Sequence, residues 1–102
     1  MTLIYIIGAY SGDVEHNIID AEKVSIDLIR QGHHVFTPHK NTAGYEKYED
    51  GIITYQTWID MDLDILSRCD AVFVMKNSER SKGSKIEIQK AMELGLPIIY
   101  EK

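Results

Sequence analysis

The chain has one cysteine, Cys69, and two prolines, Pro38 and Pro97, in 102 residues. A lone cysteine closes no internal disulfide, and no CxxC or Cys/His ligand spacing accompanies it, so no zinc or other metal site is expected. That usage points to an intracellular chain in which Cys69 is a buried, inert thiol at the inner end of a helix. A basic excess is missing too, since 11 Lys and Arg face 16 Asp and Glu for a formal net charge of -5. Binding a phosphate backbone needs a basic face, so polymeric nucleic acid is not an expected partner, although a small anion can still sit at a local site. Long apolar runs are also absent. The stretch from Met1 to Ile7 is too short for a signal peptide, and nothing approaches the roughly 20 apolar residues of a membrane span. A soluble, cytoplasmic protein without a membrane partner is expected.

A hydrophobic share of 44% over this length suits one compact domain covering residues 1–102, without internal repeat, low-complexity tract or linker. A domain of this size buries only about two-thirds of its unfolded surface, so self-association into a homodimer or higher homo-oligomer would add stability.

Leu3 to Ile7 is a continuous apolar run that ends in Gly8-Ala9-Tyr10-Ser11-Gly12, which reads as a buried strand feeding a glycine-bounded turn. Asp13 then caps a helix from Val14 to Gln31, whose inward side is Val14, Ile18, Ala21, Val24, Leu28 and Ile29, and Gly32 stops it. His34 to Thr37 is a second strand closed by Pro38. His39 to Ile53 has no period and reads as a long loop, a length often used for lids or binding loops. Thr54 or Thr57 caps a second helix that runs to about Arg68 with Tyr55, Trp58, Ile59, Ile65, Leu66 and Cys69 inward. Ala71 to Met75 is the third strand, Lys76 to Lys82 a polar loop, Ser84 to Leu94 the third helix, and Pro97 to Tyr100 the last strand. Short apolar strands alternating with helices predict an α/β fold, a parallel sheet of four strands in the order 2-1-3-4 with helices on both faces. Ligands of such sheets bind beyond the carboxyl ends of the strands, between strands 1 and 3 where the order reverses.

Polar residues on inward helix faces carry the functional signal. Around Ser81-Lys82-Gly83-Ser84-Lys85-Ile86-Glu87 the chain enters the third helix, and Glu87, Ala91 and Leu94 share one stripe, so Glu87 points toward the core. A carboxylate there costs several kcal/mol unless it is paired, protonated or used. Asp62 falls between Ile59 and Leu66 on the apolar side of the second helix, whereas Asp60 and Asp64 fall on the polar side. It is either a site carboxylate or an acid satisfied inside the core. Asn17 projects inward one turn into the first helix, as a cap or a ligand contact. His39 follows Pro38 at the carboxyl end of strand 2 and is a candidate substrate contact, while His33 and His34 lie at the opposite end and His16 on the surface. Free N–H groups at the start of the third helix, with Ser81, Gly83 and the nearby Arg80, Lys82 and Lys85, fit an anion such as phosphate, or equally a solvated cationic loop. The turn from Gly8 to Gly12 is neither GxGxxG nor GxxxxGK[ST], so dinucleotide-binding and P-loop readings find no support.

Taken together, Ile4-Tyr5-Ile6-Ile7-Gly8 with its Ser/Gly turn, Asp62-Leu63 followed by Cys69-Asp70-Ala71-Val72, and Ser81-x-Gly83-x-x-x-Glu87 followed by Ala91 and Gly95-Leu96-Pro97-Ile98 resemble the nucleoside 2-deoxyribosyltransferase superfamily. That group includes deoxynucleoside 5'-monophosphate N-glycosidases and short phage-borne relatives. The resemblance covers nearly the whole chain and implies a Rossmann-like or flavodoxin-like fold, a small nucleoside or nucleotide as substrate and no cofactor. It further implies Glu87 as the nucleophile on the anomeric carbon, Asp62 as an assisting acid and Tyr5 as the group that orients Glu87. Gly8, Ala9 and Ser11 would line the sugar and phosphate side, and Ser81 and Gly83 would hold a 5'-phosphate. Ala9 stands where the monophosphate branch has a hydroxyl residue, and Ser11 where it has an arginine. The resulting expectation is an N-glycosidic bond hydrolase or transferase. The alternative is a non-catalytic module that sequesters a small nucleotide.

Overall fold

In the computed structural model, which describes residues 2–102, four parallel strands form one sheet in the order β2-β1-β3-β4. Met1, the start of the apolar stretch considered above, lies outside these residues. The strands are β1 (Leu3–Ile7), β2 (His34–Phe36), β3 (Ala71–Val74) and β4 (Ile98–Tyr100). The helices between them are α1 (Val14–Arg30), α2 (Tyr55–Leu66) and α3 (Lys82–Glu93). The register pairs Tyr5 with Phe36 on one side and with Val72 on the other, and Val72 in turn with Ile98.

Alternation along the strands divides the core into two layers, because successive side chains point to opposite faces. Tyr5, Ile7, Val72 and Val74 pack with Leu66 and Cys69 at the end of α2 and with Ala91 of α3. Ile4, Ile6 and Ala71 pack with Ala21 and Leu28 of α1 on the other face. β1 is buried on both faces because it is central, and its aliphatic run from Ile4 to Ile7 follows from that. Cys69 is buried, its Sγ lies 3.5 Å from the Ile65 carbonyl oxygen, and burial pushes its thiol pKa up. No helix among the described residues is long and apolar enough to cross a membrane.

Caps follow the expected residues. Asp13 Oδ1 accepts from the His16 amide at 3.2 Å, Ser81 Oγ accepts from the Ser84 amide at 3.1 Å, and Thr57 Oγ1 accepts from the Thr54 amide at 2.9 Å. Thr54 and Thr57 thus share the start of α2, where the sequence offered them as alternatives. Several expectations need correction. β2 stops at Phe36 because Thr37 is already the N-cap of a 3₁₀ turn that starts at Pro38, which has no N–H for the ladder; the Thr37 hydroxyl meets Ser25 Oγ at 2.7 Å. The segment from His39 to Ile53 is not a featureless loop, since 3₁₀ turns occupy Pro38–Lys40 and Tyr45–Tyr48, and a third, Lys76–Arg80, replaces the polar loop after β3. Leu94 is 44% exposed because α3 ends at Glu93 and Leu94 serves as its C-cap, so the buried stripe is Ser84, Glu87 and Ala91. Ile29 and Tyr55, expected inward, are about half exposed: Ile29 lies one residue past the buried Leu28, and Tyr55 occupies the first position of α2, next to a cavity.

Candidate active site

Three chain segments leave the carboxyl edge of the sheet close together: the turn after β1, the His39 turn after β2 and the Lys76–Arg80 turn that leads into α3. With the first turns of α2 and α3 they enclose a cavity of about 260 Å³. At roughly 10–15 Å³ per water by this measure the space equals about twenty waters, enough for a ligand of nucleotide size.

Glu87 and Asp62 both line it, one from α3 and one from α2. Glu87 is 7% exposed, and the hydroxyl of Tyr5, itself fully buried, donates to Glu87 Oε2 from the sheet below. Burial raises the Glu87 pKa to about 8; the Tyr5 hydrogen bond pulls it down and the neighbouring Asp62 charge pushes it further up. Burial also lifts Asp62, to about 6, and raises Tyr5 beyond any physiological pH, so its hydroxyl stays a donor. Two acids with elevated pKa values facing one hollow and tied to a fixed donor are the arrangement expected of acid, base or nucleophile chemistry rather than of a structural ion pair.

Gly8, Ala9 and Ser11 line the cavity from the β1 turn, His39 from the β2 side, and Ser81 and Gly83 from the start of α3. Gly8 has a steric reason to lack a side chain: a Cβ there would lie 2.5 Å from Met75 Sδ and 3.1 Å from Asn77 Oδ1. His39 is 4% exposed, with Nε2 3.2 Å from the Gly8 carbonyl oxygen. Since that oxygen only accepts, the proton sits on Nε2 and Nδ1 is left as an acceptor with no partner. Burial lowers the His39 pKa, which keeps the ring neutral. Asn17 is the exception among the expected contacts. It does not line the cavity; its Nδ2 donates to the Tyr10 and Ser11 carbonyls, both at 3.1 Å, and so holds the β1 turn against α1. Tyr5 likewise stands behind Glu87 and not in the cavity wall.

Sequence reasoning missed several residues of the wall. Ser84, 1% exposed, lines the cavity with its Oγ unpartnered. Its spacing of three from Glu87 on one helix face was a usable signal. Tyr10, Thr42, Glu46 and Glu49 also contribute; the first lies in the glycine-bounded turn and the others in the long loop that the sequence offered as ligand-binding segments, but no pattern singled them out individually. Asn77 lies behind the wall, where its Oδ1 accepts from the Ala9 amide at 2.9 Å and fixes the turn that carries Gly8 and Ala9.

Several solved structures share this architecture, two of them 2-deoxyribosyltransferases. A 2-deoxyribosyltransferase from Bacillus psychrosaccharolyticus aligns over 96% of this chain and 70% of its own, with a TM-score of 0.66 and 22% identity. One from Leishmania mexicana aligns over 98% of this chain and 63% of its own, with a TM-score of 0.70 and 17% identity. The chain therefore spans about two-thirds of the length of these enzymes, and at such identity the likeness is one of fold. No curated protein matches the chain. A family model described as "Domain of unknown function (DUF7768)" matches residues 2–101. With nearly every residue inside that match, the chain belongs to the DUF7768 family, built on the fold of the 2-deoxyribosyltransferases.

Proposed function

We propose that the protein cleaves or transfers the N-glycosidic bond of a 2'-deoxynucleoside or its 5'-monophosphate, as a hydrolase or a deoxyribosyltransferase. The observation that carries the reading is the convergence of Glu87 and Asp62 on one cavity, with the Tyr5 hydroxyl fixed on Glu87. In this reaction a Glu87 carboxylate oxygen attacks the anomeric carbon and the bond from that carbon to the base nitrogen breaks. The electron pair leaves with the base, which takes a proton from Asp62. Water, or the nitrogen of a second base, then attacks the same carbon, gives its proton to Asp62 and releases Glu87. Tyr5 holds the attacking oxygen in place and balances its charge. Gly8, Ala9, Ser11 and His39 would contact the sugar, and Ser81 and Gly83 the 5' end, where the free amides of the α3 start suit a phosphate. A homo-oligomer would help so small a domain to enclose its substrate; activity that falls on dilution supports this, and full activity in a proven monomer opposes it.

Chromatography of base release across a panel of deoxynucleosides and their monophosphates tests the proposal. Release by the native protein, lost in Glu87→Ala with an unchanged circular dichroism spectrum, is the expected result. Folded protein that releases no base from any member of the panel would refute it. A second reading, a nucleotide-sequestering module without turnover, is favoured by the high Glu87 pKa, which leaves this acid mostly protonated at neutral pH. Calorimetric binding without turnover, retained in Glu87→Gln, would select it.

A further inference from the structure

The cavity has two chemically different ends. At α3 stand Arg80, Lys82 and the helix start, whereas the segment after β2 contributes Glu46 and Glu49. Glu49 is held in place, since its Oε2 accepts from the Trp58 indole Nε1 at 2.7 Å; Glu46 lies on the same side of the cavity as Tyr10, whose hydroxyl accepts from the Gly44 amide at 3.3 Å. Tyr45 packs edge-on against Trp58 with ring centroids 6.2 Å apart. Trp58 lies four residues before Asp62 on α2, one turn or about 6 Å further out from the sheet. Glu49 is therefore moored beyond the position at which a sugar would meet Asp62 and Glu87, beside the aromatic faces of Tyr10, Tyr55 and Trp58 that also line the space. Aromatic side chains at that end suit a flat heterocycle.

A ligand is called for independently of these acids. Ser84 Oγ and His39 Nδ1, 1% and 4% exposed at the residue level, belong to the same wall and have no partner among the described residues. A buried polar atom without a partner costs about 1–3 kcal/mol, which a bound molecule with matching groups recovers once either side chain turns toward it.

We infer that Glu46 and Glu49 select the base, favouring heterocycles that present an exocyclic amino group, such as cytosine or adenine, over their carbonyl counterparts. The Glu49 carboxylate gives one oxygen to Trp58 and keeps a second acceptor for the ligand, and Glu46 adds further acceptors; an exocyclic amino group donates to them, whereas uracil and hypoxanthine put a carbonyl oxygen in its place, acceptor against acceptor, and keep only the ring N–H as a donor. A site built to accept from an exocyclic amino group rejects an analogue lacking it more strongly than an apolar pocket does. The inference rests on the nucleoside reading given above.

The test uses Glu87→Gln protein, so that binding is measured without turnover, and calorimetry with the pairs dCMP and dUMP, and dAMP and dIMP. The amino member of each pair should bind at least tenfold tighter. Adding Glu46→Gln and Glu49→Gln keeps an oxygen for Trp58 but places amide NH₂ donors where the base met acceptors, so the preference should vanish or invert. Equal binding within both pairs, or a preference unchanged in the triple variant, overturns this inference and leaves the nucleoside reading intact. No binding by any of the four nucleotides overturns both.

Discussion

Replacing Glu87 by Gln should stabilise the protein, and the gain should depend on pH. Glu87 is 7% exposed, and burial raises its pKa from 4.5 to about 8, against the opposing Tyr5 hydrogen bond and with help from the Asp62 charge. An acid whose pKa is higher in the folded than in the unfolded state holds its proton more tightly when folded. Its contribution to stability is complete below about pH 4.5 and is lost as the pH rises through about 8. At about 1.4 kcal/mol per pH unit that window corresponds to roughly 5 kcal/mol. The effective cost of one buried ion after the protein relaxes, several kcal/mol, has the same size. Glutamine keeps the shape and an oxygen to accept from Tyr5, but it does not ionise. Urea unfolding of both proteins at pH 4.5 and pH 9 reads the difference. The two should agree within about 1 kcal/mol at the lower pH, and the variant should lead by about 3–5 kcal/mol at the higher. An equal difference at both pH values, or a variant weaker at pH 9, would refute the assignment of Glu87 as a buried acid strained by its own charge.

The proposed reaction needs Glu87 ionised and Asp62 protonated, the minor arrangement of a singly protonated pair whose total population rises through about pH 6 and falls through about pH 8, so kcat/KM should follow that bell, with apparent values that belong to the pair. Asp62→Asn should remove the falling limb; a falling limb that persists would point to another group. Tyr5→Phe removes the donor on Glu87 and should lower kcat at least tenfold while moving the remaining titration of Glu87 upward, read from the pH profile. Gly8→Ala pushes a methyl against Met75 and Asn77, and should cost about 1–3 kcal/mol in thermal unfolding and raise KM, because the same turn forms the cavity floor. Unchanged stability in that variant would mean that Met75 moves aside freely.

The fold was legible because its signals are local and periodic. Four short apolar runs, each bounded at one end by Gly8, Pro38, Asp70 or Pro97, admit few sheets, and the burial of β1 on both faces follows from a run without alternation. Glu87 and Asp62 stood out for the same reason, being acids at positions where the helical period demanded apolar residues. Helix ends were less legible, since the last turn answers to tertiary contacts: Leu94 continues the inward stripe in sequence but faces solvent once α3 has ended. The orientation of Asn17 was readable while its partners were not, because two backbone carbonyls of a turn carry no sequence signature. Glu46 and Glu49 did not stand out within their loop, because it has no period and the place of Glu49 depends on a single hydrogen bond to Trp58.

Tyr5 belongs to two environments at once. Its ring stacks on Phe36 at 5.9 Å between centroids, deep among aliphatic neighbours, while its oxygen ends on the carboxyl group of position 87. Chemistry and packing are thereby joined through a lever with one rigid arm. Trimming Phe36 to Leu would let that ring tilt by a few degrees without exposing anything to water, yet the hydroxyl at its far tip would swing the most. Turnover should consequently register small defects beneath the sheet surface before melting temperature does, which makes catalytic rate the finer gauge of how well this interior is assembled.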